Sequence, residues 1–423
     1  MLTAAIILFI STYVLMLVFS KYKHFIALGS AIIFVAFGFL PVDKIIDSID
    51  FNVLLMILGT MGTVSYFIES KMPNMLSDII IKKAPNVKVM TLLLALFAGV
   101  VSAFIDNVAT VLMIAPVTIA VAKKLKISPV PIILSVSIFS NLEGAATLVG
   151  DTTSILLAGA MKLNFMDFFF YQDRIGLFFI VQFGLLAALF VLSIIMRKFK
   201  EKLEDTDVEK ITDYVPTVLL LLNIVSLIVA SFIPDKPDLT NGLICVGFFI
   251  LASIIKIIKN KDVKSIVPNL KELDLNTVLL LASLFVIIGG IKEVGVIDEI
   301  SKLFMNVGSD NPFVMYTVLV FVSVAVSAFI DNIPYVATML PVVAMISANS
   351  GINPTLLYYG LIVGSTLGGN ITPIGASANI TAIGILNKNG YQVSNKEYFK
   401  MSVPISLAAI LTGYVVAFLL FGI

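Results

Sequence analysis

Charge is scarce in this sequence, and so are the side chains that carry most metal and redox chemistry. Only 13% of the 423 residues are charged while 59% are hydrophobic; soluble domains carry about 25% charged residues. A single cysteine, Cys245, excludes both a disulfide framework and a cysteine-based metal site. The single histidine, His24, removes His-dependent catalysis and His-rich metal sites from consideration. Next to Lys23 at an expected helix end, it reads as a solvated residue.

Long apolar runs are what the sequence has in abundance. A span needs about 20 mostly apolar residues. Such runs recur at Leu2 to Phe19, Phe25 to Leu40, Asn52 to Ile68, Phe168 to Met196, Val215 to Ile233, Leu239 to Ile255, Thr277 to Ile291 and Met401 to Ile423. They predict eight plain membrane spans. No basic residue precedes the first run and Lys21 and Lys23 follow it, which is not the order of a cleavable signal, so it is expected to be the first span.

The chain repeats itself. Shifted by 225 positions, Ser102-Ala-Phe-Ile-Asp106-Asn107 falls on Ser327-Ala-Phe-Ile-Asp331-Asn332, and the same register pairs Pro116 with Pro341, Gly144 with Gly369, Thr147 with Thr372 and Gly150 with Gly375. The polar stretch Arg197 to Asp213 lies between the copies and reads as a solvated cytoplasmic linker. The expected organisation is repeat 1 over 1–196, the linker over 197–213 and repeat 2 over 214–423.

Two segments per repeat do not fit a simple span. Residues 89–122 and 314–348 each carry one charge, Asp106 or Asp331, and as straight helices would rise about 50 Å against a hydrocarbon core of about 30 Å. They are expected to be re-entrant hairpins with Asp-Asn at the tip. Residues 130–160 and 354–385 are interrupted by Gly- and Pro-containing stretches, which predict helices broken at the membrane midplane. The fold class expected is an all-α polytopic membrane protein of two inverted-topology repeats, five spans each, with one re-entrant hairpin and one discontinuous helix per repeat.

Basic residues test the topology. With both termini outside, only Lys44, Lys162, Arg174, Lys236, Lys292 and Lys302 fall on the outer side. The remainder of the 28 basic residues fall inside. A bacterial inner membrane location is expected.

Unpaired backbone at membrane depth survives only inside protein or along a watery cavity, so tips and breaks are expected to meet in one site. From the tips come Asp106, Asn107, Thr110, Asp331 and Asn332. From the breaks come Asn141, Glu143, Thr147, Gly150, Asp151, Thr152, Thr372, Gly375, Ser377 and Asn379. Their hard oxygens suit Na⁺, a proton or an oxyacid, with Na⁺ positions near Asp106, Asn107 and Gly150 and near Asp331, Asn332 and Gly375. The aspartates can instead simply cap helices. Half-helix N-termini near Thr152 and Ser377 favour oxyanions or polarised hydroxyls. No Lys or Arg lies in a hairpin core or break, so a multivalent anion would need co-bound cations or protonated aspartates. Gly59, Gly62, Gly289 and Gly290 read as close-packing positions, and Glu69 and Glu293 as either interfacial residues or part of a coupling network. Only the first break carries acids, Glu143 and Asp151, so coupling is expected to concentrate in the first half.

Ser102-Ala-Phe-Ile-Asp-Asn-Val-Ala-Thr-Val with Ala115-Pro-Val resembles the hairpin signature of the arsenical pump and melanosomal P protein branch of the ion transporter superfamily. Gly375-Ala-Ser-Ala-Asn379, Gly390-Tyr391 and Glu397-Tyr-Phe399 continue the likeness. The same superfamily holds sodium-coupled dicarboxylate transporters and a type of sodium/proton antiporter. The resemblance implies a homodimer with a scaffold and a moving transport domain in each protomer, and places Asn107, Gly150, Asn332 and Gly375 near cation and substrate. Three features depart from the pattern. Gly150-Asp151-Thr152-Thr153-Ser154 replaces Gly-Asp-Pro-Pro-Asn, Glu143 replaces Gly, and the Ser-Asn-Thr tips of dicarboxylate carriers are missing.

The expected function is secondary active transport without a cofactor, coupled to H⁺ or Na⁺: proton-coupled efflux of an inorganic oxyacid such as arsenite or antimonite. The alternatives are sodium/proton antiport and sodium-coupled anion or dicarboxylate symport. An intramembrane aspartyl protease fits poorly, since Val149-Gly150-Asp151 lacks the first glycine of its motif. A channel is a further option. The partners expected are a small ion or oxyacid, lipid and a second copy of the chain, and no nucleic acid.

Overall fold

A computed structural model describes the chain except residues 204–207, 212, 309 and 310. The first half runs through α1 (Leu2–Val18), α2 (Lys23–Ala36), the short α3 (Ile45–Ser48), α4 (Phe51–Glu69), α5 (Met72–Lys83), α6 (Val87–Ser102), α7 (Asn107–Leu125), α8 (Val130–Glu143), α9 (Thr152–Met161) and α10 (Leu177–Ile195). The second half runs through α11 (Val215–Ser231), α12 (Thr240–Asn260), the short α13 (Val267–Lys271), α14 (Leu275–Glu293), α15 (Val296–Gly308), α16 (Pro312–Ser327), α17 (Asn332–Ser350), α18 (Pro354–Ile362), α19 (Ser377–Lys388) and α20 (Asn395–Phe421).

Local chemistry sets these boundaries in the same way in both halves. Asp50 opens α4 by accepting the Val53 N–H at 3.0 Å, and Asp274 opens α14 by accepting the Thr277 N–H at 3.1 Å. α7 ends on Lys126 at φ 55° and α17 on Gly351 at φ 71°, both left-handed caps at the same place in the repeat. Pro116 and Pro341 sit inside α7 and α17 and remove one rung from each hydrogen-bond ladder.

Contacts between the halves come in matched pairs: α4 packs on α12 as α14 packs on α2, α7 meets α19 as α17 meets α9, and α10 lies along α20. Glycine makes the closest of these approaches possible. A Cβ on Gly59 would lie 2.3 Å from the Cys245 backbone, and one on Gly290 would lie 2.6 Å from the Phe34 ring. Ion pairs follow the same pattern. Lys256 reaches Glu69 at 2.6 Å and Lys44 reaches Glu293 at 2.6 Å, so both glutamates tie one half to the other.

Several expectations need correction. The runs at Leu2 to Phe19 and Phe25 to Leu40 form shorter helices whose axes diverge by 114° at the Ser20 turn. Among the described residues seven single helices are long and apolar enough to cross a membrane. They include α7 and α17, each 19 residues long, which start at the two Asp-Asn tips as the second arms of the expected hairpins would. Residues 72–83 and 296–308, which lie outside the expected spans, are helices α5 and α15. Lys82 and Lys83 in the last turn of α5 complement the helix dipole. The run at Phe168 starts with a small hairpin, Phe170–Tyr171 against Arg174–Ile175, turned by Gln172 and Asp173 at positive φ; the helix starts only at Leu177.

The linker is less solvated than its composition suggests. The carbonyls of Phe199 and Glu201 accept the Lys88 and Val87 N–H groups at 3.0 Å, closing the N-terminal turn of α6. Lys71 pairs with Glu209 at 2.6 Å. Burial disfavours the Asp213 carboxylate, but Lys259 at 2.8 Å outweighs it and holds the group below the usual carboxylate range. Linker residues 204–207 and 212 lie outside the described residues.

Candidate functional site

The break between α6 and α7 (residues 103–106) and that between α16 and α17 (residues 328–331) form two equivalent tips. Each is clamped by the neighbouring helix break. The Thr147 hydroxyl donates to the Ala103 carbonyl, and the Thr372 hydroxyl donates to the Ala328 carbonyl. Gly150 and Gly375 let the chains meet: a Cβ would lie 2.9 Å from the Ala103 oxygen in the first case and 2.7 Å from the Ala328 oxygen in the second. Thr147 and Thr372, expected as substrate ligands, have their hydroxyls committed to holding the tips. The Thr110 hydroxyl is likewise spent on the Asp106 carbonyl at 3.1 Å.

All three site aspartates cap helices, as N-cap chemistry requires. Asp106 accepts the Val108 and Ala109 N–H groups at 2.9 and 3.0 Å, both on Oδ2, which leaves Oδ1 for the cavity. Asp331 Oδ1 accepts the Ile333 N–H at 3.2 Å. Asp151 accepts the Thr152 N–H at 2.7 Å and opens α9. The equivalent position before α19 is Ala376, and no side chain caps that helix.

The breaks are joined by amides. Asn107 donates to Asn141 Oδ1 at 3.0 Å, and Asn141 donates to the Thr366 carbonyl at 2.7 Å. Asn379 accepts the Ser137 hydroxyl at 2.6 Å and donates to Asn370 Oδ1 at 3.2 Å. Asn141 and Asn379 are therefore internal connectors between the halves and do not line the cavity.

A cavity of about 630 Å³ opens between the tips, and seven of the expected residues reach it: Asp106, Asn107, Gly150, Asp151, Thr152, Asn332 and Ser377. Asn332 is 4% exposed, and its Nδ2 has no partner. The exposed lining residues Lys21, Glu69, Glu272 and Asp274 mark its mouth, with the buried Asn269 beside Glu69. Glu69 is steadied there by Lys256 and by Asn269, whose Nδ2 donates at 2.9 Å.

Three expectations fail on geometry. Glu143 faces away from the cavity: it is 1% exposed, accepts the Gln182 amide of α10 at 2.6 Å and packs over Gly99 of α6, with Oε1 unpartnered. His24 is buried rather than solvated, 8% exposed, and its ring lies 4.2 Å from that of Phe25. The site is not free of fixed cations either, because Lys23, from the first turn of α2, reaches Asp331 Oδ2 at 2.5 Å. By sequence alone Lys23 reads as an inner-loop residue after the first span. It reaches the second tip because α2 packs on α14, which in turn packs on α17. Among the described residues no group of three or more His, Cys, Asp or Glu is arranged to hold a metal ion.

The family model described as a citrate transporter, CitMHS, matches residues 6–364. The chain belongs to the citrate transporter family. An uncharacterised transporter of Mycobacterium tuberculosis is 30% identical over 96% of both chains, and a 46 kDa membrane protein of Mycobacterium leprae is 29% identical over 96% of both. The mouse P protein is 27% identical over 87% of this chain and 54% of its own length, in keeping with the branch resemblance. Among solved structures, the Alcanivorax borkumensis YdaH transporter has a TM-score of 0.59 at 12% identity over 89% of both chains. Neisseria gonorrhoeae MtrF, which illuminates a class of antimetabolite efflux pumps, scores 0.55 at 15% identity over 88% of this chain and 81% of its own. These likenesses show the fold. Membership of this family makes the chain a multi-pass membrane transporter and not an enzyme, which removes the protease alternative.

Proposed function

We propose that the protein is a proton-coupled secondary transporter that exports a small inorganic oxyacid such as arsenite or antimonite, with Asp106 and Asp151 as the coupling pair. One observation carries this reading. Both carboxylates line the cavity at the first tip and no ion pair among the described residues reaches either. Two carboxylates on one wall disfavour a shared full charge, so protons or a small cation neutralise them, and a neutral hydroxide meets no opposing charge there. The matched pairing of the halves favours inverted repeats over 1–196 and 214–423, with the tips as re-entrant hairpins. With the lysine-rich loops inside, both termini face out and the cavity opens to the cytoplasm of a bacterial inner membrane. A homodimer completes this reading.

A second reading has its own support: cation-coupled transport of a carboxylate anion. The family description names citrate, and Lys21 on the cavity wall supplies positive charge. Proteoliposomes decide between them. Arsenite-loaded vesicles are expected to release arsenite on imposing a pH gradient. Failure to do so under every gradient, with citrate uptake in its place, selects the second reading. Sodium-dependent proton release without either solute selects sodium/proton antiport.

A further inference from the structure

The two tips match in backbone and in sequence, but their charges do not match. At the first tip Asp106 faces the cavity together with Asp151, and neither has a basic partner among the described residues. At the second tip the equivalent of Asp151 is Ala376, and the remaining acid, Asp331, is met by Lys23 at 2.5 Å, with Ser377 also donating to Oδ2 at 3.4 Å. One tip thus holds two uncompensated carboxylates and the other a neutral pair.

Lys23 comes from outside the repeat unit that forms the tip. It stands 308 positions away in sequence and reaches the tip because α2 packs against α14. Its partner oxygen is telling. Asp331 uses Oδ1 for its helix cap and presents Oδ2 to the ammonium, whereas Asp106 uses Oδ2 for its cap and leaves Oδ1 unbonded at the cavity. Each aspartate therefore has one oxygen left over for a cation. In the second half the chain itself supplies that cation.

We propose that the second tip is a monovalent-cation site kept filled by the Lys23 ammonium, so that the transporter takes its coupling ion from solution only at the first tip. This rests on the reading of the tips as cation sites given above. A lysine ammonium is a compact point charge on a flexible stem, able to stand in for a small cation beside a carboxylate and a hydroxyl. Removing it leaves Asp331 partly buried and uncompensated, a strong local demand for a replacement ion.

The test is cation binding to purified protein in detergent, which needs neither a substrate nor flux. Wild type and Lys23→Met are titrated with radioactive sodium and, in parallel, followed by thermal midpoint in sodium, potassium and choline chloride. Lys23→Met is expected to bind an additional sodium per chain and to gain a sodium-dependent rise in midpoint that choline does not reproduce. Lys23→Met combined with Asp331→Asn is expected to lose that gain. If Lys23→Met does not fold, Lys23→Gln serves in its place. The proposal is overturned if the lysine variants gain no cation dependence, or if the wild type binds two coupling cations per chain. The outcome is separable from the coupling role of Asp106 and Asp151, which is read by flux and stands or falls without Lys23.

Discussion

The Asn107 amide donates to Asn141 at 3.0 Å, and Asn141 passes the connection to the Thr366 carbonyl in the other half. This chain of amides joins the first tip to both helix breaks inside a region with almost no exposure. Asn141→Ala strands a buried donor and a buried acceptor, at about 1–3 kcal/mol for each group. The expected result is a clearly lowered thermal midpoint in detergent, with flux reduced in proportion to folded protein. An unchanged midpoint would mean that water or rearrangement restores both groups.

Gly150 and Gly375 fit where no side chain can. A Cβ at Gly150 would lie 2.7 Å from the Gly144 oxygen and one at Gly375 2.6 Å from the Gly369 oxygen, both backbone atoms. Gly150→Ala and Gly375→Ala are each expected to cost about 1–3 kcal/mol through overpacking and to abolish transport. Gly384 in α19 is the control, because nothing lies within 4 Å of its position. Gly384→Ala should be neutral or stabilising by about 0.5–1 kcal/mol, as for alanine replacing glycine in a helix. The three midpoints measured side by side check the clamp.

The Glu69–Lys256 pair sits at the cavity mouth with Glu69 half exposed, so it is worth about 0–1 kcal/mol to folding. Glu69→Gln should leave the thermal midpoint nearly unchanged and instead change the ionic-strength dependence of flux, since it alters the charge that an arriving ion meets. A large stability loss would show that the pair is structural.

Cys245 is the only cysteine and is fully buried against Gly59. A membrane-impermeant maleimide should not label native protein, so a single new cysteine reports cleanly. Glu272→Cys at the cavity mouth is expected to label from the cytoplasmic face and not from the outside. The reverse pattern would invert the proposed orientation.

Much of this architecture was legible because it is duplicated and local. The 225-residue register located both tips, both breaks and the starts of α9 and α19 at Thr152 and Ser377, since Gly, Pro and Asp-Asn dictate local backbone wherever they stand. What was not legible depends on neighbours. Glu143 ends α8 beside the break, but only the packing of α6 and α10 decides that it faces Gln182 and not the cavity. Thr147 and Thr372 look like ligands until the tip carbonyls they serve are in place. Lys23 reads as a topology signal, and its pairing with Asp331 follows from helix packing that no local pattern encodes. α5 and α15 lie outside the long apolar runs because helices carry charges readily on an exposed face.

The central claim is that Asp106 and Asp151 carry the coupling ion, and its most direct measurement is flux driven by a pH gradient in proteoliposomes containing wild type, Asp106→Asn or Asp151→Asn. Asparagine keeps a side-chain oxygen for the helix caps but cannot exchange a proton, so each variant is expected to fold and to lose gradient-driven flux. Full coupled flux in both variants would reduce these aspartates to caps and contradict the account.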